Sequence, residues 1–215
     1  TSQQNPGHGT HCAGIMGAVG NNAVGISGMS QQVSIIPLRF IGPTGQGDLM
    51  AAIKAVDYAV AVKADVISAS WGAKVPSAQA QPLIEAVGRA SAAGVTFVAA
   101  AANDGANNDA GSPTYPAGYD LPNIISVAAV DNKDAIANFS NYGKRSVHVA
   151  APGVNIYSTI KGGTYKSYSG TSMATPHVAG IAALLLSEYP EWTYDMIKDR
   201  LIKTSTPLSS LRRKI

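Results

Sequence analysis

Runs of β-branched and other apolar residues alternate along the chain with stretches of helical periodicity, the pattern of a parallel sheet wrapped by helices. The strand candidates are Val33 to Phe40, Val66 to Trp71, Val95 to Ala101, Ile124 to Val130 and Val147 to Ala150. Most are continuous apolar runs, as expected when both faces of a sheet are covered, so each reads as a central strand. Helices are predicted from near His8, from Asp48 to about Val62 with Leu49, Ile53, Val56 and Val60 on one face, and from about Gln79 to Ala93 before Gly94. A hairpin follows, Asn155 to Ile160 and Thr164 to Ser169 around Lys161-Gly162-Gly163. A long helix is predicted from about Ser172 to Tyr189, ending before Pro190, and a last one with Thr193 as its N-cap. The pattern therefore predicts an α/β fold, a three-layer sandwich with a mostly parallel sheet and helices on both faces.

Composition narrows the class. At 215 residues the chain suits one domain that buries roughly 70% of its unfolded surface. Hydrophobic residues reach 46% and charged ones only 13%, with 22 Gly and 12 Pro scattered, which excludes disorder, collagen and coiled coil. The longest apolar run, Val178 to Leu186, falls far short of the roughly 20 residues that cross a bilayer. The net charge of +3 forms no basic stripe, so neither a membrane nor nucleic acid is expected as a partner. A lone cysteine, Cys12, forbids an internal disulfide and a multi-cysteine zinc site.

Two glycine-bounded clusters carry the candidate chemistry, His8-Gly9-Thr10-His11-Cys12-Ala13-Gly14 and Gly170-Thr171-Ser172-Met173-Ala174-Thr175-Pro176-His177. Both open predicted helices. A serine at a helix N-terminus sits among unpaired N–H groups, where an oxyanion formed beside it finds donors waiting. Its hydroxyl still needs a base at neutral pH, and histidine supplies one. His177, five residues past Ser172, is turned roughly 140° away on the helix and reads as structural. His148 lies inside an apolar strand, and His11 reads as a packed helix histidine. His8, at the start of its helix, is the better base.

The two clusters resemble the His and Ser signatures of the subtilisin-like serine proteases, and the likeness covers nearly the whole chain. Ala100-Ala101-Ala102-Asn103-Asp104-Gly105, after a strand, resembles that family's oxyanion segment and gives Asn103 the role of amide donor. Ala102 stands where the family more often has Gly. The resemblance implies a serine endopeptidase with Ser172 as nucleophile, His8 as base and Asn103 in the oxyanion hole. It further implies polypeptide substrates, held as an added strand between Gly45-Gln46-Gly47 and Ser70-Trp71-Gly72. The pocket before the scissile bond then falls between Ser70-Trp71-Gly72 and Ala100-Ala101-Ala102, with Thr114 near its floor and Asp104 at its rim. Cleavage after large apolar side chains, with broad specificity, is the expectation.

Cys12, four residues beyond His8, is similar to the proteinase K-like cysteine of that family, and packing as a small buried hydrophobe, the commoner fate of a lone cysteine, is the favoured account of it. Val19-Gly20-Asn21-Asn22-Ala23-Val24-Gly25-Ile26 resembles the family's calcium loop, with Val19, Asn21, Asn22, Val24 and Ile26 as ligand positions. Asn-Asn-Ala-Val-Gly is also an ordinary turn, and the family completes that site with upstream ligands, a carboxylate among them.

The family's third catalytic group is an Asp in an Asp-Thr-Gly or Asp-Ser-Gly setting upstream of the histidine. Seven residues precede His8, none acidic, and no such tripeptide occurs among the ten Asp positions. The expectation is therefore a partial catalytic domain, lacking an Asp-bearing strand that an upstream segment would supply. Alone it is expected to be nearly inert, by about 10⁴ in turnover, a magnitude that comes from serine proteases including subtilisin itself. The resemblance also implies a secreted protein made with a propeptide. A noncatalytic peptide-binding relative is the alternative. An α/β-hydrolase esterase is disfavoured, because its elbow wants Gly where Ala174 stands and its histidine follows the serine.

Overall fold

The computed structural model describes residues 7–111 and 113–215. In chain order the elements are α1 (His8–Gly17), α2 (Leu49–Ala61), β1 (Val66–Ala69), β2 (Ala73–Lys74), α3 (Ser77–Ala92), β3 (Thr96–Ala100), β4 (Thr114–Tyr115), β5 (Ile124–Val130), β6 (Val149–Pro152), β7 (Ile156–Ile160), β8 (Thr164–Tyr168), α4 (Thr171–Glu188) and α5 (Tyr194–Thr204). A short 3-10 turn at Ser209–Leu211 follows. Four strands form one parallel sheet in the order β1-β3-β5-β6, and β2–β4 and β7–β8 are antiparallel pairs.

Alternation along β3 sorts the core into two layers, because successive side chains of a strand point to opposite faces. Phe97 and Ala99 join Ile53 and Val56 of α2 and Leu83, Val87 and Ala90 of α3 on one face. Val98 joins Ala174, Val178 and Ala182 of α4 on the other. Every residue of β3 and β5 is buried, as their unbroken apolar runs require. The result is helices, sheet, helices: an α/β sandwich with a mostly parallel sheet.

Local signals hold at the helix starts and the hairpin. The Asp48 carboxylate accepts the Ala51 N–H at 2.9 Å and caps α2. The β7–β8 turn uses Gly162 and Gly163 at φ 86° and 71°, a conformation that costs glycine nothing. The last strand of the sheet begins two residues later than its apolar run. His148 nonetheless stays joined to β5, donating its main-chain N–H to Ser126 O at 3.0 Å and accepting Ser126 N–H on its ring Nδ1 at 2.9 Å.

Two strand expectations fail. Val33 to Phe40 forms no strand, and Val33, Ile35 and Ile36 are 37%, 39% and 47% exposed. Nor is β1 central: it closes one edge of the sheet and its first three residues are only half-buried. The cause is shared. Segment 33–40 faces β1 across a groove of about 320 Å³ lined by Val33, Ile35, Ile36, Ile67, Ala52 and Ala179. A strand needs a neighbour's N–H and C=O groups, and across that gap neither side finds them.

Candidate active site

The carboxyl ends of two adjacent parallel strands carry one wall each of a chamber of about 380 Å³. From β1 the chain runs through Ser70, Trp71 and Gly72 to β2; from β3 it runs through Ala101 and Ala102 to Asn103 and Asp104. Trp71, Gly72, Lys74, Ala100, Ala102, Asn103, Thr114 and Ser172 are among the residues that line it. Gly72 suits this wall: a Cβ on it would stand 3.0 Å from both Thr114 Cγ2 and Tyr115 O, tighter than nearly all packed carbons.

Asn103 and Ser172 are joined through the start of α4. The first N–H of that helix, Thr171 N, has no intrahelical acceptor and donates to Asn103 Oδ1 at 2.8 Å, while the Thr171 hydroxyl donates to the same oxygen at 3.0 Å. Both bonds fall on the carbonyl side of the carboxamide, which leaves Nδ2 on the other. A Cβ on Gly170 would lie 3.6 Å from that Nδ2 and 3.7 Å from Ser172 N, so the two donors share one neighbourhood.

Ser172 owes its placement to a proline. Pro176 lies inside α4 and has no N–H, so the carbonyl four residues back, that of Ser172, loses its helical partner. Two side chains take up that carbonyl: the Ser70 hydroxyl at 2.9 Å and the Cys12 thiol at 3.4 Å. Ser172 Oγ in turn donates to Ser70 O at 3.1 Å. Cys12 Sγ is also 3.9 Å from His8 Nδ1, so the imidazole and the main-chain carbonyl of Ser172 flank one thiol. Burial pushes that thiol up to about 11, which keeps it neutral. Burial also lowers His8 to about 4, so its ring is uncharged at neutral pH.

The other histidines are occupied. His11 Nε2 donates between Ile156 O at 3.0 Å and Lys166 O at 2.9 Å, tying α1 to the hairpin. His177 Nδ1 bonds Met173 O at 2.8 Å on its own helix.

Three expected substrate positions lie apart from the chamber. Gly45, Gln46 and Gly47 sit in an exposed turn closed by Gly42 N–H to Gln46 O at 2.9 Å and by a bridge between Ile41 and Gly47. Their link to it is indirect: Gly47 packs by Phe40, whose ring meets Trp71 edge-on at 5.0 Å. Ala101 is a correction. It is fully buried against Ala128 and Val147, its N–H donates to Val127 O and its carbonyl accepts Asn108 Nδ2, so nothing of it remains for a peptide. Ser70 contributes through Ser172 instead of lining the wall.

Lys74, like its neighbour Ala73, is a lining residue that sequence reasoning missed. It ion-pairs with Asp104 at 3.0 Å across the chamber rim, and it is placed there by β2, whose two residues pair with Tyr115 and Thr114. A two-residue strand leaves no periodic signal to read.

The loop 19–26 meets only part of the demand of calcium, which takes six to eight oxygens with carboxylates among them. It holds no carboxylate, and Asn22 Oδ1 is engaged by Val24 N–H at 3.0 Å. Val19, Asn21, Asn22 and Val24 are exposed and Ile26 half-buried. These residues alone make at most part of a shell. Among the described residues no three His, Cys, Asp or Glu side chains gather to hold a metal.

The chain thus combines a parallel α/β sheet with Ser172 at a helix mouth and the Asn103 carboxamide joined to that helix through Thr171. The chain belongs to the subtilase family, whose model matches residues 1–214. It is 40% identical over 208 residues to subtilisin amylosacchariticus from Bacillus subtilis subsp. amylosacchariticus, covering 97% of this chain and 53% of that protein. It is 41% identical over 202 residues to subtilisin DY from Bacillus licheniformis, covering 94% and 71%. A crystal structure of a cold adapted subtilisin-like serine proteinase superposes with a TM-score of 0.83 at 32% identity, covering 97% of this chain and 72% of that one. The chain thus spans about half the length of the first of these relatives.

Proposed function

We propose that this chain is the core of a serine endopeptidase in which Ser172 is the nucleophile, His8 the general base, and Asn103 Nδ2 with the Ser172 N–H the oxyanion donors. The observation that carries the reading is the pinning of Asn103 Oδ1 by Thr171, which leaves the amide donor beside Ser172 N at the chamber wall. Attack on a peptide carbonyl moves the Ser172 proton from its bond with Ser70 O to His8. The oxygen of the tetrahedral intermediate collects its charge between the two N–H donors, and His8 returns the proton to the leaving amine. A ring held near pKa 4 is a weak base for that transfer. A carboxylate brought to the ring raises it, because an opposite charge favours the imidazolium.

That need defines the partner. An upstream segment carrying the Asp, whether on the same polypeptide or separate, adds its strand in the groove between segment 33–40 and β1, where the sheet edge stands open. Substrates are extended polypeptides with a large apolar residue in the chamber, the protein acts outside the cell, and calcium binds near 19–26 only with oxygens added from elsewhere. A second reading, a peptide-binding relative without catalysis, draws on the same chamber and on the proton of Ser172 Oγ being spent on Ser70.

A fluorophosphonate probe separates the two. Labelling at Ser172 in the full protein, lost in Ser172→Ala and at least about 10³-fold slower in this chain alone, is expected if the missing carboxylate orients His8. An unlabelled Ser172 in every form gives the binding module.

A further inference from the structure

The turn that presents Asn103 is held by the side chain of a residue from a different part of the chain. Ala102, just before Asn103, has φ 90°, a left-handed conformation that an alanine adopts only under constraint. Asp104 and Gly105, just after it, are exposed. A strained residue followed by an exposed turn relaxes unless something overrides it. Asn141, fully buried, supplies the constraint: Oδ1 accepts Asp104 N–H at 2.8 Å and Ala106 N–H at 3.1 Å, and its main-chain N–H donates to Ala102 O at 2.9 Å. Its Nδ2 donates to Asn108 Oδ1 at 2.9 Å, and the buried Asn108 donates its own Nδ2 to Ala101 O at 2.8 Å. Backbone groups on both sides of Asn103 are thus fixed by two carboxamides that do not touch the chamber.

We propose that Asn141, completed by Asn108, is a positioning residue for the Asn103 carboxamide and so sets the geometry of the oxyanion site. The inference rests on the protease reading above and deepens it. Oxyanion stabilisation depends on a donor being fixed before charge develops, so loosening the turn weakens transition-state binding while leaving ground-state binding alone. Neither Asp nor Ser does the work of Asn141 in place. Asp brings a buried charge with no donor for Asn108, and Ser is too short to reach both N–H groups.

The test is steady-state hydrolysis of a peptide p-nitroanilide by the full protein and its Asn141→Ser variant, with thermal unfolding of each. The expected result is a kcat lower by about 10- to 100-fold with KM within about twofold. Affinity for a peptide boronic acid, whose adduct fills the oxyanion position, should fall in step with kcat, while that of a noncovalent peptide inhibitor holds. In an Asn103→Ala background the same substitution should change kcat by less than about twofold, since a residue acting through Asn103 has nothing left to position. If Asn141→Ser does not fold, Asn108→Ser takes its place with the same pattern and a smaller loss. An unchanged kcat in a folded variant, or an equal loss with and without Asn103, overturns the proposal. An unsubstituted protein that hydrolyses nothing and takes no fluorophosphonate overturns the protease reading beneath it.

Discussion

Ala102 has no side-chain reason to sit at φ 90°. The backbone is bent there so that the chain leaving β3 presents Asn103, and alanine carries a steric cost that glycine would not. Ala102→Gly is therefore expected to stabilise the fold by about 0.5–1 kcal/mol, the strain relieved exceeding the entropy that glycine adds to the unfolded chain. Urea unfolding measures it as a higher midpoint at an unchanged slope, and a lower midpoint would mean that the turn carries no strain. At this scale the motif residues were legible, because a serine at a helix mouth and an Asn after a buried strand announce themselves by type and order. Their support was not. That Pro176 frees the Ser172 carbonyl for Ser70 and Cys12, or that Asn141 reaches back to residue 104, depends on side chains brought together across more than thirty residues. Ala101 misled for the opposite reason: inside Ala100-Ala101-Ala102 nothing in the sequence says which alanine faces the core.

Two helices meet closely where α4 crosses behind α1. A Cβ on Gly180 would stand 2.7 Å from Met29 Cβ and 3.1 Å from Met16 O, so the helix approaches the end of α1 and the chain after it to within backbone distance. Propensity and packing oppose each other there. Alanine in a helix interior gains up to about 1 kcal/mol over glycine, whereas forcing a methyl group into a filled contact costs about 1–3 kcal/mol. Because one clashing atom is main chain and cannot rotate away, packing wins: Gly180→Ala should lower stability by about 1–2 kcal/mol net. Calorimetry on the purified variant decides it, and a raised Tm would show that α4 slides freely. Periodicity located this helix and the hairpin because their patterns are long. It overreached with Val33 to Phe40, whose β-branched composition describes a strand only when a neighbour stands at hydrogen-bonding distance, and composition contains no neighbour.

Across the whole molecule the four histidines share one property: burial holds each below its ordinary value, His8 and His148 to about 4 and His11 and His177 in the same direction. Geometry agrees, since His148 Nδ1 must stay unprotonated to accept the Ser126 N–H, and His11 Nδ1 is buried without a partner to receive a proton's bond. When folded values lie below unfolded ones, the unfolded chain takes up protons first. Stability is then complete above about pH 6.5 and falls as pH drops toward 4, where folded His8 and His148 titrate as well. Chemical denaturation of the chain at a series of pH values should show a midpoint that is flat from 8 to 7 and declines between 6.5 and 4. His148→Asn, which keeps an acceptor oxygen for the Ser126 N–H but cannot titrate, should flatten part of that decline. A midpoint indifferent to pH over this window would mean that these rings open to water at little cost, and with it would fall the reading of His8 as a buried neutral base awaiting a carboxylate.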